Sequence, residues 1–404
     1  MADLKISVVI PYKQRLDNIR SVLGSLAEQT MDAAEFEVVV GAMEYSEEYV
    51  AACREFTGKL NLTSVLSDDE WNVAQARNLA IRQATGRIIM LLDADMVLPP
   101  QVLDTLYDRY FAGHQNVCVL GKALGYSCVV EHAPNGTELT MSGQDASGVL
   151  AYGGHRALLD DLEQAGEVWA DDRKVLESVP LPWSLVWTGL VALPAETVRR
   201  HDLMFDENFR GWGSEDQEWG YRVYATGTPL VLGDDVYGMH LPHNRDAATD
   251  QESYRANSRY FLAKWPTLDV EITRAYGWED GNRLYPEVRD EVAAAVSGHG
   301  RTLGVVRGKA EGTDLLVVGA EIDSRTRVPA PDVSDLFDDA DSLDVLPLLG
   351  LALPFGDGDL GECRVLPSVL GLSERYRETV LAEAGRVSSG AVSTDVPAAP
   401  IETA

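Results

Sequence analysis

The sequence predicts an α/β protein: a parallel sheet wound with crossover helices, followed by a small α/β appendage. Three observations carry that expectation. Over residues 6–92, short apolar runs alternate with amphipathic segments, the pattern of strand and crossover helix. The 404 residues, 45% hydrophobic and 8% aromatic, hold more apolar material than one small core uses. Beyond Trp278 the composition turns to Ala, Gly, Val and Asp, which marks a boundary.

Residues 6–11 (ISVVIP) form a continuous apolar run, as in a strand covered on both faces. Helical spacing follows at 16–29, and 36–41 (FEVVVG) reads as the next strand. Residues 46–57 are helix-like, 60–66 are strand-like and 73–84 form a helix closed by Gly86. A fourth strand, 87–92 (RIIMLL), runs straight into Asp93-Ala94-Asp95. Residues 126–180 are polar, glycine-rich and weakly periodic, which predicts a loop-rich insertion. Apolar content returns at 183–193, followed by a helix-like stretch to His201, a tryptophan and glycine cluster at 211–220 and a strand at 236–241. A helix over 250–265 stops before Pro266. The chain thus divides into a domain over 1–277, an appendage over 278–386 and a tail over 387–404. A strand at 314–319 and a helix at 373–386 belong to the appendage, and the Ser-, Ala-, Pro- and Thr-rich tail is expected to be disordered.

The 34 basic and 64 acidic residues give a formal charge of -30, which repels phosphate backbones and anionic lipid. Nucleic acid is therefore not an expected partner. An acidic enzyme still takes a phosphorylated small molecule where a metal ion and a few cations invert the local sign. Cys53, Cys118, Cys128 and Cys363 show neither disulfide-framework nor zinc spacing, which fits a reducing compartment. No apolar run approaches the roughly 18 residues of a membrane span, and the N-terminus lacks a signal-peptide core. The expectation is a soluble, cytoplasmic protein with no membrane span.

Ligands of open parallel sheets bind beyond the carboxyl ends of the strands. Lys13 and Arg15 leave the first strand there, and Asp93 and Asp95 leave the fourth. Two carboxylates at that spacing reach a hard divalent cation and its bridging phosphates; a solvated acidic turn is the competing reading. Lys13, Arg15 and the Arg77-Asn78 pair near a helix start would offset phosphate charge at one rim, against the default of solvated charges. His240 and His243 form HxxH after a strand, which suits ligation of manganese or zinc by neutral imidazole. Two surface or core histidines are the alternative. In 211–218 (GWGSEDQE), glycines, Trp212 and adjacent carboxylates describe either an acidic helix start with packed tryptophans or a mobile lid whose carboxylate removes a hydroxyl proton.

Together these stretches resemble the GT-A nucleotide-sugar glycosyltransferases of the family 2 type, with a second half similar to the β-1,4-galactosyltransferase catalytic region. The resemblance covers about 5–265 and is most specific at 71–81 (WNVAQARNLAI) and 84–100 (ATGRIIMLLDADMVLPP). It implies a Rossmann-like nucleotide-sugar-binding fold, with uridine diphosphate contacts at Pro11, Tyr12, Lys13 and Arg15. Arg77 and Asn78 would lie near the nucleotide and donor sugar. Asp93 and Asp95 would form a DxD element holding the diphosphate through Mn²⁺ or Mg²⁺, with Asp95 the direct ligand. Gly189, in WTGLVAL, would lie near the donor or acceptor sugar. Trp212 would be the gating aromatic, Glu215 an acceptor-hydroxyl contact and Asp216 the general base. In MHLPHNRD, His243 takes the histidine position of the metal site, while His240 stands where the galactosyltransferases have methionine. Lys13 replaces an arginine of the family.

The implied reaction is inverting transfer of a sugar from a nucleotide diphosphate donor, UDP-linked by the resemblance, to an acceptor hydroxyl. The acceptor class stays open between saccharide, natural product and peptide, with 126–180 expected to shape its site; homo-oligomerisation also stays open. A catalytically silent nucleotide-sugar or glycan-binding module is the alternative, and the joint presence of DAD, ED and HxxH disfavours it. A nucleotidyltransferase would show glycine in the loop after the first strand, and IPYKQR has none. In the appendage, 314–325 and 353–387 resemble part of a class I methyltransferase without its GxGxG loop, leaving the single Gly319. This implies a degenerate structural or assembly domain.

Overall fold

The computed structural model describes residues 4–125, 175–241 and 247–394. The chain forms two compact units, one of 1–178 with 182–254 and one of 179–181 with 255–404. The expected insertion therefore falls outside the described residues except at 175–180, and His243, Cys128 and 395–404 also lie outside them.

Unit 1 is built on an eight-stranded sheet. Its strands are β1 (Ile6–Tyr12), β2 (Phe36–Ala42), β3 (Leu62–Leu66), β4 (Ile88–Leu92), β5 (Met96–Val97), β6 (Cys118–Gly125), β7 (Leu190–Pro194) and β8 (Leu230–His240), in the order β3-β2-β1-β4-β7-β6-β8-β5. β3, β2, β1 and β4 are mutually parallel, while β7 runs antiparallel to both β4 and β6. Every residue of β1, β2 and β4 is buried, as the unbroken apolar runs require of strands covered on both faces. β3 sits at the sheet edge and is correspondingly half exposed. Ile6, Val8, Ile10, Val38, Val40, Met90 and Leu92 join one core, and each such side chain contributes roughly 1.5–3 kcal/mol by leaving water.

The crossover helices are α1 (Leu16–Ala27), α2 (Glu47–Glu55) and α3 (Val73–Gln83). Ser46 and Asn72 cap α2 and α3, their side chains accepting from the N–H groups of Tyr49 and Gln75 at 3.0 Å, the role short polar side chains favour at a helix start. α3 packs directly on β1 and β2. The approach is close enough that a Cβ at Gly41 would stand 1.9 Å from the Ala76 carbonyl oxygen, so only glycine fits there. α4 (Val102–Leu106) continues as a π-helical turn, Tyr107–Phe111; α5 (Ala195–Arg200) and α6 (Glu215–Ala225) are further α-helices among the described residues of unit 1.

The contact division at 254/255 falls within α7 (Ala247–Lys264). The composition boundary at 277 falls instead on Gly277, whose φ of 78° and ψ of 175° break α8 (Leu268–Ala295). α8 and β9 (Arg301–Ala310) escape the sequence reading: Gly277 and Pro286 interrupt the helix pattern, and the glycines and arginines of β9 dilute its apolar run. β10 (Thr313–Asp323) returns antiparallel to β9 across a two-residue turn in which Glu311 and Gly312 both have positive φ, the geometry that matches strand twist. The unit 2 sheet runs β11-β9-β10-β12-β13, with β11 at Asp344–Leu346, β12 at Glu362–Val365 and β13 at Val392–Ser393. β13 pairs with β12, so order extends into the segment expected as a tail from 387. The antiparallel β9–β10 hairpin departs from the parallel crossovers of a nucleotide-binding α/β unit. Gly319 serves a bulge, where the register shifts between Val318 and Ala320.

In unit 2 the Glu271 carboxylate is fully buried. It accepts backbone N–H groups from Leu349 (2.8 Å), Gly350 (2.6 Å), Leu351 (2.7 Å) and Ala352 (3.4 Å). Burial pushes its pKa up to about 7, against the pull of those donors. Glu271→Ala leaves buried N–H groups without their acceptor. We expect it to lower stability by about 1–3 kcal/mol, read as a shifted urea midpoint of the full-length chain; an unchanged midpoint would contradict this account.

Candidate active site

The site gathers at the carboxyl ends of β1 and β4, at the rim anticipated for an open parallel sheet. Asp93 leaves β4 with its N–H donating to the Gly189 carbonyl at 3.1 Å, which places Gly189 beside the acidic turn. Asp95 is 1% exposed. The pairing of β5 with β8 sets Met96 opposite His240, and the Leu241 N–H donates to the Asp95 carbonyl at 2.7 Å. That pairing brings the His240 Nε2 to 3.5 Å from Asp95 Oδ1, while Arg15 ion-pairs with Oδ2 of the same carboxylate. Of the two histidines proposed for the metal, His240 therefore stands at Asp95, and His243 lies outside the described residues.

Arg77 links the two halves of the site. Its guanidinium is buried, donating from Nη2 to Asp93 Oδ1 at 3.1 Å and from Nη1 to Glu215 Oε1 at 3.0 Å, with its central carbon 5.1 Å from the Phe205 ring centre. Burial works against its charge, but the carboxylates of Asp93, Glu215 and Asp216 outweigh it and raise the pKa. Glu215 opens α6 from Ser214, which has a left-handed φ of 68°, as do Gly211 at 68° and Gly213 at 95°. The positive end of α6 favours the acidic residues of its first turn. Asp216 is half-buried. Burial first, then repulsion from Glu215, push its pKa up to about 7, opposed by Arg77 and by the Gln217 N–H, which donates to Asp216 Oδ1 at 2.7 Å. A carboxylate so poised accepts a proton at neutral pH far better than an ordinary aspartate. Glu218 is different: it is fully buried and bound on both oxygens by Arg222, so it serves α6 itself.

The two tryptophans of this motif also part company. Trp219 is buried, its ring stacked on Phe205 at 5.3 Å and its Nε1 donating to the Leu203 carbonyl at 2.9 Å. Trp212 is 46% exposed, with its ring centre 5.9 Å from that of Tyr254.

Tyr12 is buried with Pro11, stacked on Tyr49 at 4.3 Å, and burial raises its pKa; its ring belongs to the core. Asn78 is buried as well, its amide nitrogen donating to the Phe205 carbonyl at 2.9 Å and to Glu207 Oε1 at 2.8 Å while its oxygen accepts the Phe205 N–H at 2.8 Å. In this structure Asn78 holds the 205–207 segment. Lys13 is half-buried and forms no ion pair among the described residues.

Two residues were missed by the sequence reading. Asn72 donates to the carbonyls of Glu207 at 2.8 Å and Phe209 at 3.2 Å, and Phe205 lies under Arg77. The capping position of Asn72 is a readable signal; its hold on 207–209 is not.

Asp95 and His240 present a carboxylate and an imidazole, a donor pair that suits Mn²⁺ and, less closely, Mg²⁺. Among the described residues no group of three or more His, Cys, Asp or Glu side chains converges as a metal centre. Water and substrate oxygens are the ordinary further ligands of such cations. No helix among the described residues is long and apolar enough to cross a membrane.

Residues 7–143 match the family model described as glycosyl transferase family 2. Validoxylamine A glucosyltransferase of Streptomyces hygroscopicus subsp. jinggangensis (strain 5008) is 31% identical over 268 residues, covering 66% of this chain and 62% of that protein. Chondroitin synthase of Escherichia coli is 29% identical over 269 residues, covering 61% of this chain and 36% of that protein. The S. aureus TarS 1-349 structure in complex with UDP-GlcNAc aligns with a TM-score of 0.47 at 17% identity, covering 70% of this chain and 76% of that one. The chain spans about three fifths of the length of the glucosyltransferase relatives it matches.

Proposed function

Because the chain carries a family 2 glycosyltransferase domain, we propose that it moves a sugar from a nucleotide diphosphate donor, UDP-linked, to an acceptor hydroxyl with inversion at the anomeric carbon. The observation that carries this reading is the Arg77 bridge, which ties Asp93 of the DAD turn to Glu215 of the SED helix start, beside the poised Asp216.

Asp95 and His240 would hold a divalent cation, Mn²⁺ or Mg²⁺, whose chemistry is to neutralise charge on the departing diphosphate. Arg15 and Lys13 line the rim where that diphosphate leaves and add cationic donors to it. Asp216 accepts the proton of the acceptor hydroxyl. The oxygen then bonds the anomeric carbon as the carbon–diphosphate bond breaks on the opposite face. Glu215, fixed by Arg77, contacts the acceptor hydroxyl, and Trp212 covers the sugar. Pre-organised charge stabilisation exceeds proton transfer as a contribution to rate.

Glucosyl transfer by the Streptomyces relative supports a hexose donor. The test is a panel of nucleotide sugars with Mn²⁺, scored by nucleotide diphosphate release with and without candidate acceptors. Release from one UDP-sugar is the expected result. Tight donor binding with no release from any donor would favour a silent binding module instead.

A further inference from the structure

Asp95 is almost wholly buried, and its two oxygens face two different partners, Arg15 at Oδ2 and His240 at Oδ1. An ionised carboxylate removed from water needs such compensation. The Arg15 side chain is 39% exposed, against 2% for Asp95, so one partner is locked in place while the other reaches solvent along the rim that also carries Lys13. The Arg15 backbone is fixed as the cap of α1, which leaves its long side chain to choose between anions. A guanidinium suits phosphate as well as carboxylate.

A divalent cation that takes Asp95 meets the positive charge of Arg15 on the same carboxylate. A diphosphate arriving at the rim offers Arg15 another partner. We propose that Arg15 is a hand-over residue: it holds Asp95 until a nucleotide diphosphate draws it away, so that cation and diphosphate enter the site with positive coupling. This rests on the reading that Asp95 binds the cation. By linkage the coupling is reciprocal, each ligand tightening the other by the same factor.

The test titrates full-length protein with Mn²⁺, following free Mn²⁺ by electron paramagnetic resonance, with and without UDP. In the wild type, UDP should tighten Mn²⁺ within the range of about 5- to 150-fold typical of such coupling. In Arg15→Gln, Mn²⁺ alone should bind several-fold more tightly than in the wild type, UDP should bind more weakly, and the coupling factor should shrink. A merely structural Arg15 would loosen both ligands. Arg15→Lys, which keeps a cation at the position, should shift each quantity in the same direction by less, and it carries the test if the glutamine variant does not fold. Asp95→Asn provides the separation: if it keeps wild-type Mn²⁺ affinity, the metal reading falls and the hand-over with it. If it loses Mn²⁺ while Arg15→Gln binds Mn²⁺ no more tightly than wild type, the hand-over alone is overturned.

Discussion

Asp95→Asn is expected to cut nucleotide diphosphate release by on the order of 10² to 10³ or more, the scale seen when one pre-organised electrostatic group is removed from a reaction centre. The substitution keeps the shape of the side chain and removes its charge. Asp95 is buried and shared by Arg15 and His240, so the neutral amide leaves a guanidinium facing a group that no longer attracts it and deprives a cation of its anionic donor. In the proposed mechanism both consequences would fall on the leaving diphosphate, where negative charge grows. The measurement is steady-state release across a Mn²⁺ titration. A variant within tenfold of wild type at saturating Mn²⁺ would remove Asp95 from the centre of the reaction.

The second large effect belongs to Asp216. Asp216→Asn should keep donor affinity and lose roughly 10² to 10⁴ in turnover, the contribution of a positioned base. Its carboxyl is pushed up to about 7 by burial and by Glu215, with Arg77 pulling the other way. Only the ionised form takes a proton. Hence kcat/KM should fall about tenfold per pH unit below about 7 and level off above it, with this limb absent from the residual activity of the variant. A flat wild-type profile between about pH 5 and 8 would contradict the role of Asp216.

Much of the fold was legible because buried parallel strands cannot disguise themselves. The runs at 6–11, 36–41 and 87–92 lie within or within one residue of β1, β2 and β4, and the helices between them follow from spacing and caps. α8 was not legible, since Gly277 and Pro286 argue locally against a helix that tertiary packing nonetheless sustains. In the site, the residue types of DAD and SED were visible as chemistry. The Arg77 bridge was not, because nothing local records that residues 138 apart in the chain share a guanidinium. Nor does the motif announce that the Asn78 amide holds the Phe205 backbone through both its oxygen and its nitrogen. Tyr12, the last residue of β1, stacks on Tyr49, a pairing of rings 37 residues apart that no local signal records.

The loop 349–352 bears on what unit 2 can recognise. Its converging amides are the kind of concavity that captures a carboxylate or phosphate from outside, yet the chain has already filled it with a side chain of its own, Glu271. A foreign anion would have to evict a tethered competitor present at very high local concentration. That stretch of backbone is therefore self-satisfied architecture, and any recognition by unit 2 must use another of its surfaces.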